Sequence, residues 1–412
     1  MTWRKIAANT FYQLAGKGFS ILTNILVLAL ITRALGVEQF GEYILVTTVP
    51  TFLYLVGDFG LNAVFLREVA QDSNHVKKFG SLLSLRMVLA AVSLVLGLAY
   101  AFFYPHDPLI RLGIIVALTT VFTQGVFVSL NALFQHNLRY DLSVLAGIVA
   151  HLATAGLVVW GFLAGAGFLF FVAAWAATAF VLGVVAFLLS GKISERPRFA
   201  WDLRWIRRLL ILSSPIGLML IFSQINSMAD VFLLRALDSA EAVGIYRLGY
   251  KVFENILPIP IFFVNALYPV MLLDHKQSIG VLYKRLSQAL GVLLAAAAVL
   301  IIVVFPLAPF LIFVLGGESF AASSVVLRIL TLSLPLFFVS APLQWFLITV
   351  GKEKILPLIY AIAAFSNVLI NILFIPRFSY YASLFATIFA EVLVLILLVG
   401  AFWRFRRALP YS

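Results

Sequence analysis

The chain has 412 residues, of which 63% are hydrophobic and 11% charged, and its mean hydropathy is +1.08. A soluble domain carries about 45–50% apolar and about 25% charged residues, so a soluble enzyme, a disordered scaffold and a disulfide-stapled secreted domain are excluded and a polytopic membrane protein remains. The formal charge of +12 points to basic cytoplasmic loops rather than to nucleic acid, and the lack of cysteine removes disulfides, thiolate metal sites and cysteine nucleophiles.

A helix needs about 20 apolar residues to cross the hydrocarbon core. Twelve segments qualify: 10–33, 41–65, 80–103, 110–134, 142–164, 167–190, 209–235, 243–272, 286–308, 322–349, 355–375 and 381–403. The first is too long for a signal-peptide apolar region and lacks a small-residue cleavage site, so it is read as a retained span. A membrane barrel would show alternating segments of roughly ten residues instead, so the fold class is all-α. Pro306 and Pro309 interrupt the ninth span, whose end is expected to be broken or re-entrant.

Charge placement orients the spans. Twenty of the 29 Lys and Arg fall on the side of the N-terminus, from Arg4 and Lys5 through Lys77, Lys78, Arg139 and Arg196 to Lys352, Arg406 and Arg407. Only Arg33, Arg111, Arg235 and Arg377 fall on the other. By the positive-inside rule, both termini are cytoplasmic. The longest polar stretch, 191–208, holds Trp201 and Trp205 beside Arg204, Arg207 and Arg208. It is expected to be an interfacial amphipathic linker between an N-terminal six-helix half (1–190) and a C-terminal one (209–412), although an ordinary basic loop fits the same residues.

The two halves echo each other. Asn24, Arg33-Ala34-Leu35, Gly41 and Tyr43 correspond to Asn226, Arg235-Ala236-Leu237, Gly244 and Tyr246, at an offset of 202 residues that becomes 203 after one insertion. Duplicated halves with an even span count have parallel topology, and a central cavity between two such halves is a transporter architecture.

The segment Thr32-Arg33-Ala34-Leu35-Gly36-Val37-Glu38-Gln39-Phe40-Gly41-Glu42-Tyr43 resembles the signature of polysaccharide (Wzx-type) flippases, members of the multidrug/oligosaccharidyl-lipid/polysaccharide transporter superfamily. Further matches follow in order: Asp58-Phe59-Gly60-Leu61-Asn62 with Arg67-Glu68, Asp230 through Gly244-Ile245-Tyr246, Leu327-Arg328-Ile329-Leu330, and Asn367 to Asn371 with Ile375-Pro376. One departure stands out: the family's Gly-x-x-Gly-Ala is replaced by Ser379-Tyr380-Tyr381-Ala382. The resemblance implies a monomeric, cofactor-free, multi-pass protein of the inner (cytoplasmic) membrane. Its partners would be the bilayer and a polyprenyl-(pyro)phosphate-linked glycan, flipped to the outer leaflet for surface polysaccharide synthesis by alternating access.

A charge at the bilayer centre costs about 2.5–3.5 kcal/mol on insertion scales, so interior charges face a partner, a cavity or water. The interior cations are Lys17, Arg86, Arg247, Lys251 and Arg328, and the acids are Asp58, Asp230, Glu254 and Glu391. Gln13, Lys17, Ser20 and Asn24 share one helical face, as do Ser223, Ser227 and Asp230, and also Arg247, Lys251 and Glu254. Spans 1, 7 and 8 border the family's lumen by resemblance. Lys17, Arg247 and Lys251 are therefore expected to meet the phosphate, and Asn24, Asn226, Tyr246 and Tyr250 the sugar hydroxyls. Asp58, Asp230 and Glu254 would balance charge or bind a coupling cation, although Lys251 and Glu254 could simply neutralise each other. Asp58 and Arg86 fit an interfacial pair, Arg328 snorkelling, His151 a packing role, and Glu391 has no assignment.

Two other classes compete. A cation-coupled multidrug antiporter of the same superfamily would want an acidic, aromatic cavity, whereas this interior leans basic. An enzyme finds no support, because Gly16-Lys17 and Gly191-Lys192 lack the upstream glycine of a phosphate-binding loop and there is no Asp-x-Asp pair for metal-assisted sugar transfer.

Overall fold

The computed structural model describes residues 3–69, 75–193 and 198–408; the side chains of 3–15, 56–57, 63, 75 and 405–408 also lie outside the described residues. Arg196, and the side chains of Arg4, Lys5, Gln13, Arg406 and Arg407, are among those left aside. The described residues are helical, running α1 (Trp3–Asp58), α2 (Leu61–Val69), α3 (His75–Phe103), α4 (Pro108–Leu118), α5 (Thr120–His136), α6 (Tyr140–Leu163), α7 (Phe168–Ser190) and α8 (Leu203–Leu237). They continue as α9 (Ala240–Glu254), α10 (Pro258–Gln277), α11 (Ile279–Gly316), α12 (Ser323–Leu332), α13 (Leu334–Thr349), α14 (Leu356–Phe378) and α15 (Tyr380–Ala408).

Ten helices are long and apolar enough to span a membrane among the described residues, or eleven when the 47° bent pair α12–α13 is taken as one span. The twelfth is hidden in α1, whose 56 residues contain a break at Gly36 (φ 69°, ψ −176°). Glycine alone enters that region without a Cβ clash, so the family-like segment from Arg33 to Tyr43 is a hinge between two spans. Its counterpart after Arg235-Ala236-Leu237 is a break capped by Ser239, whose hydroxyl accepts from Ala242 N–H at 3.1 Å.

The chain forms two compact units, residues 1–221 and 222–412, dividing inside α8. In the first, Phe65, Phe79, Leu130, Phe134, Trp205, Ile206 and Leu209 belong to one buried cluster. Of the polar stretch 191–208, Trp201 is 59% exposed and Trp205 only 7%, with the Trp205 ring edge-on to Phe65 at 6.0 Å. Ile193 also joins this core, so the described ends of the stretch pack on the first unit.

The Asp58-Phe59-Gly60-Leu61-Asn62 motif is the turn between α1 and α2. Phe59 and Gly60 both take positive φ (44° and 66°). A Cβ on Gly60 would stand 2.8 Å from the Ile216 side chain. Both polar ends of the turn converge on Arg86, which donates to Asp58 Oδ1 at 2.6 Å, Asn62 Oδ1 at 2.9 Å and Ser129 Oγ at 3.1 Å. Arg86 is 2% exposed, so the pair expected at an interface is a buried clasp. Burying a guanidinium is costly unless a carboxylate and further acceptors surround it.

In the second unit, α11 runs unbroken through Pro306 and Pro309 to Gly316, which corrects the expected broken or re-entrant end. Pro309 has no N–H to give the carbonyl four residues back, Phe305. Arg328 on α12 donates its Nε to that oxygen at 3.2 Å and stacks on the Phe305 ring at 5.4 Å. The arginine expected to snorkel instead satisfies a carbonyl that proline leaves open. The departure at Ser379 also has a local cause: the residue adopts φ 51°, a glycine-favouring value, and its hydroxyl donates to Asp238.

Two stability predictions follow from these contacts. Arg328→Met should lower unfolding free energy by about 1–3 kcal/mol, the cost of a buried unsatisfied carbonyl, and Pro309→Ala should recover most of it by restoring the helical bond; a double-mutant cycle in detergent thermal unfolding that shows simple additivity refutes the link. Arg86→Met should cost about 3–5 kcal/mol by stranding Asp58, and Arg86→Met with Asp58→Asn markedly less. Equal loss in both proteins rules out charge pairing as the cause.

Candidate functional site

Each unit carries polar chemistry at membrane depth. In the first, Lys17 is exposed on α1, and one turn on, Ser20 Oγ hydrogen-bonds His151 Nε2 of α6 at 2.9 Å. His151 thus has a hydrogen-bonded packing partner. Asn24 is exposed along the same helix. Among the described residues Lys17 has no acidic partner within 4 Å, whereas Arg86, Arg247 and Lys251 each have one.

In the second unit, α9 has Tyr246, Arg247 and Tyr250 turned inward at 0%, 2% and 5% exposure. The guanidinium lies over the Tyr250 ring at 4.7 Å, donates to the Ser227 carbonyl of α8 at 3.4 Å and stands 3.9 Å from Glu254. Glu254 also accepts from Lys251 at 2.9 Å. Asp230 on α8 is fully buried; its Oδ1 accepts from Val231 N–H at 2.8 Å. The Tyr246 hydroxyl lies beside Asp230 and shares a hydrogen bond with Thr387 Oγ1 of α15 at 3.1 Å. Arg247 and Lys251 therefore share the Glu254 carboxylate. Asn226 is half-buried on α8, its Oδ1 screened from solvent with no hydrogen-bond partner among the described residues.

A second polar seam joins α14 to α15. Asn371 Nδ2 donates to Asn367 Oδ1 at 3.0 Å, and Ser383 donates to Asn371 Oδ1 at 2.6 Å. Ser383, Thr387 and Glu391 follow at four-residue intervals, one face of α15. Glu391, 6% exposed, accepts from Ser340 of α13. This seam went unassigned from the sequence although its signal was present: polar residues four apart in a span share a face, and that face needs partners.

The geometry sorts the expected site. Tyr246, Arg247 and Tyr250 are internal groups of their unit, Asp58 serves Arg86, and Lys17 and Asn24 keep an open face. Lys251 and Glu254 stay half-exposed as a pair. No cluster of His, Asp or Glu suited to a metal ion is present among the described residues.

The comparisons agree with this architecture. A sequence profile of the polysaccharide biosynthesis protein family matches residues 6–272. A Shigella dysenteriae protein assigned as an O-antigen transporter is 23% identical over 393 residues, 93% of this chain and 96% of its own. Among solved structures, the lipid II flippase MurJ in an inward closed conformation superposes with a TM-score of 0.78 at 14% identity, covering 95% of this chain and 87% of MurJ. An inward-facing multidrug resistance MATE transporter of the MOP superfamily gives 0.75 at 13% identity and 94% coverage of both chains. The fold is that of these transporters, and the chain belongs to the polysaccharide biosynthesis protein family.

Proposed function

We propose that the protein is a flippase moving a polyprenyl-(pyro)phosphate-linked oligosaccharide from the inner to the outer leaflet by alternating access of its two helical units. The observation that carries this reading is Lys17. It is an exposed cation on a spanning helix, without a carboxylate partner among the described residues. Lys17 lies 19 residues before the hinge at Gly36, about 28 Å along the helix axis, which is one hydrocarbon thickness. With the N-terminus cytoplasmic, the ammonium stands at the inner mouth, where a phosphate headgroup enters from the inner leaflet. An anion there forms a charge-assisted hydrogen bond in a medium that screens it poorly. Asn24 in the first unit and, separately, Asn226 in the second each offer an amide to a sugar hydroxyl. Within the second unit, Lys251 can meet an anion only by exchanging Glu254 for it, so the Arg247–Glu254–Lys251 set acts as charge balance. Asp230 is the buried carboxylate available for coupling. The shared fold supports transport rather than catalysis, and the family supports a glycan.

In a strain lacking the chromosomal gene, Lys17→Gln should lower surface glycan about tenfold or more relative to wild type at equal membrane abundance, matching the loss of a charge-assisted hydrogen bond of about 1.5–3 kcal/mol. Normal glycan export with Lys17→Gln sinks the phosphate-capture role. Normal export without the gene, together with new drug sensitivity in an efflux-deficient host, favours a multidrug antiporter. For orientation, a C-terminal fluorescent protein that matures only in the cytoplasm should fluoresce, and a C-terminal alkaline phosphatase, active only outside, should stay silent; the reverse pattern inverts the topology.

A further inference from the structure

The first unit contains a cavity of about 230 Å³ formed by α1, α5 and α7, lined by Tyr54, Thr51, Thr120, Gln124, Trp175 and Thr178 with small apolar neighbours. It is separate from the Lys17 face, and its chemistry is specific. No charged side chain lines it, which disfavours both a phosphate and a cationic drug as occupant. The Thr51 hydroxyl donates to the Thr47 carbonyl of its own helix and Thr120 to the Ala117 carbonyl at the end of α4, while Thr178 Oγ1 is engaged with Thr154 of α6 and the Ala174 carbonyl. With their protons committed, Thr51 and Thr120 have acceptor capacity left for an incoming hydroxyl. The Gln124 carboxamide has no hydrogen-bond partner among the described residues. Trp175 and Tyr54 add aromatic surface. Hydroxyl-accepting oxygens, one free amide and aromatic faces around an uncharged hole are the complement of a pyranose ring, which offers hydroxyls at its edge and C–H bonds on its faces. The volume lies below the range of about 300–1,000 Å³ typical of drug-sized sites, which fits one sugar ring rather than two.

We infer that this cavity is a subsite for a single uncharged pyranose residue of the transported glycan, a role that rests on the flippase reading and adds a sugar-recognition element within the first unit. Arg86, in the small void that adjoins the cavity across Tyr54 and Val121, is committed to Asp58, Asn62 and Ser129.

The chain contains no cysteine, so Ala179→Cys introduces a sole thiol into the cavity wall, and Asp107→Cys places a control thiol in the exposed α3–α4 loop. Each full-length protein in lipid nanodiscs is reacted with a small maleimide in the presence of free glucose, galactose, mannose, rhamnose, N-acetylglucosamine or N-acetylgalactosamine. At least one sugar should slow Ala179→Cys labelling saturably by about fivefold or more and leave Asp107→Cys unchanged. Adding Gln124→Leu should raise the half-protecting concentration about tenfold, the effect of one lost hydrogen bond, at an unaltered thermal unfolding temperature. The absence of protection by every sugar, equal slowing at both thiols, or full protection in the folded Gln124→Leu protein would overturn the subsite. Labelling requires no transport, so failure here with gene-dependent glycan export intact removes the subsite alone. Sugar protection in a protein whose deletion leaves surface glycan unchanged removes the flippase reading instead.

Discussion

Hydrocarbon offers no hydrogen-bond partner, and every polar group that enters a spanning segment must find one inside the protein. This constraint explains more of the molecule than any single contact does. Threonine hydroxyls along the spans donate to carbonyls three or four residues back, as Thr32, Thr47, Thr154 and Thr331 do. Where a proline removes a helical donor, an arginine from a neighbouring helix supplies it. Where the chain turns between α1 and α2, a buried arginine collects the carboxylate and the amide at the two ends of the turn. Each device is local, yet each fixes how two or three helices meet.

The same constraint sorts structural charge from functional charge. Arg86 and Arg247 are buried with acids and carbonyls around them, and Lys251 shares Glu254. Their charges are held by partners within the protein. Lys17 differs because no carboxylate lies within 4 Å of it among the described residues, and in the proposed reading it is this cation that receives the phosphate headgroup. The uncharged cavity of the first unit is the complementary case: hydroxyl oxygens and an amide that are tolerated at depth while remaining able to meet sugar hydroxyls. Separating anion capture from sugar recognition suits a ligand whose two parts differ so strongly in polarity.

Much of the fold was legible because helical spans announce themselves by length and hydropathy alone. Boundaries were less so. Spans one and two run together in α1, and only the backbone at Gly36 shows where one ends. Pro306 and Pro309 read as a break, yet α11 continues because Arg328, distant in sequence, answers the open carbonyl at Phe305. The loss of a family glycine at Ser379 read as a packing question; the backbone there keeps its left-handed turn with a hydrogen bond to Asp238.

For the site, the sequence by itself determined which residues carry charge at membrane depth and which of them share a helical face, because a period of 3.6 residues and the cost of burial are properties of the chain. Tertiary structure alone decided which of those charges are already answered. Glu254 stands between Arg247 and Lys251, Asp58 and Asn62 close on Arg86, and Lys17 has no carboxylate within 4 Å among the described residues. The physical reason is that compensation acts over a few ångströms between helices far apart in sequence, so the pattern of a single helix cannot reveal whether its polar face looks at a partner or at open space.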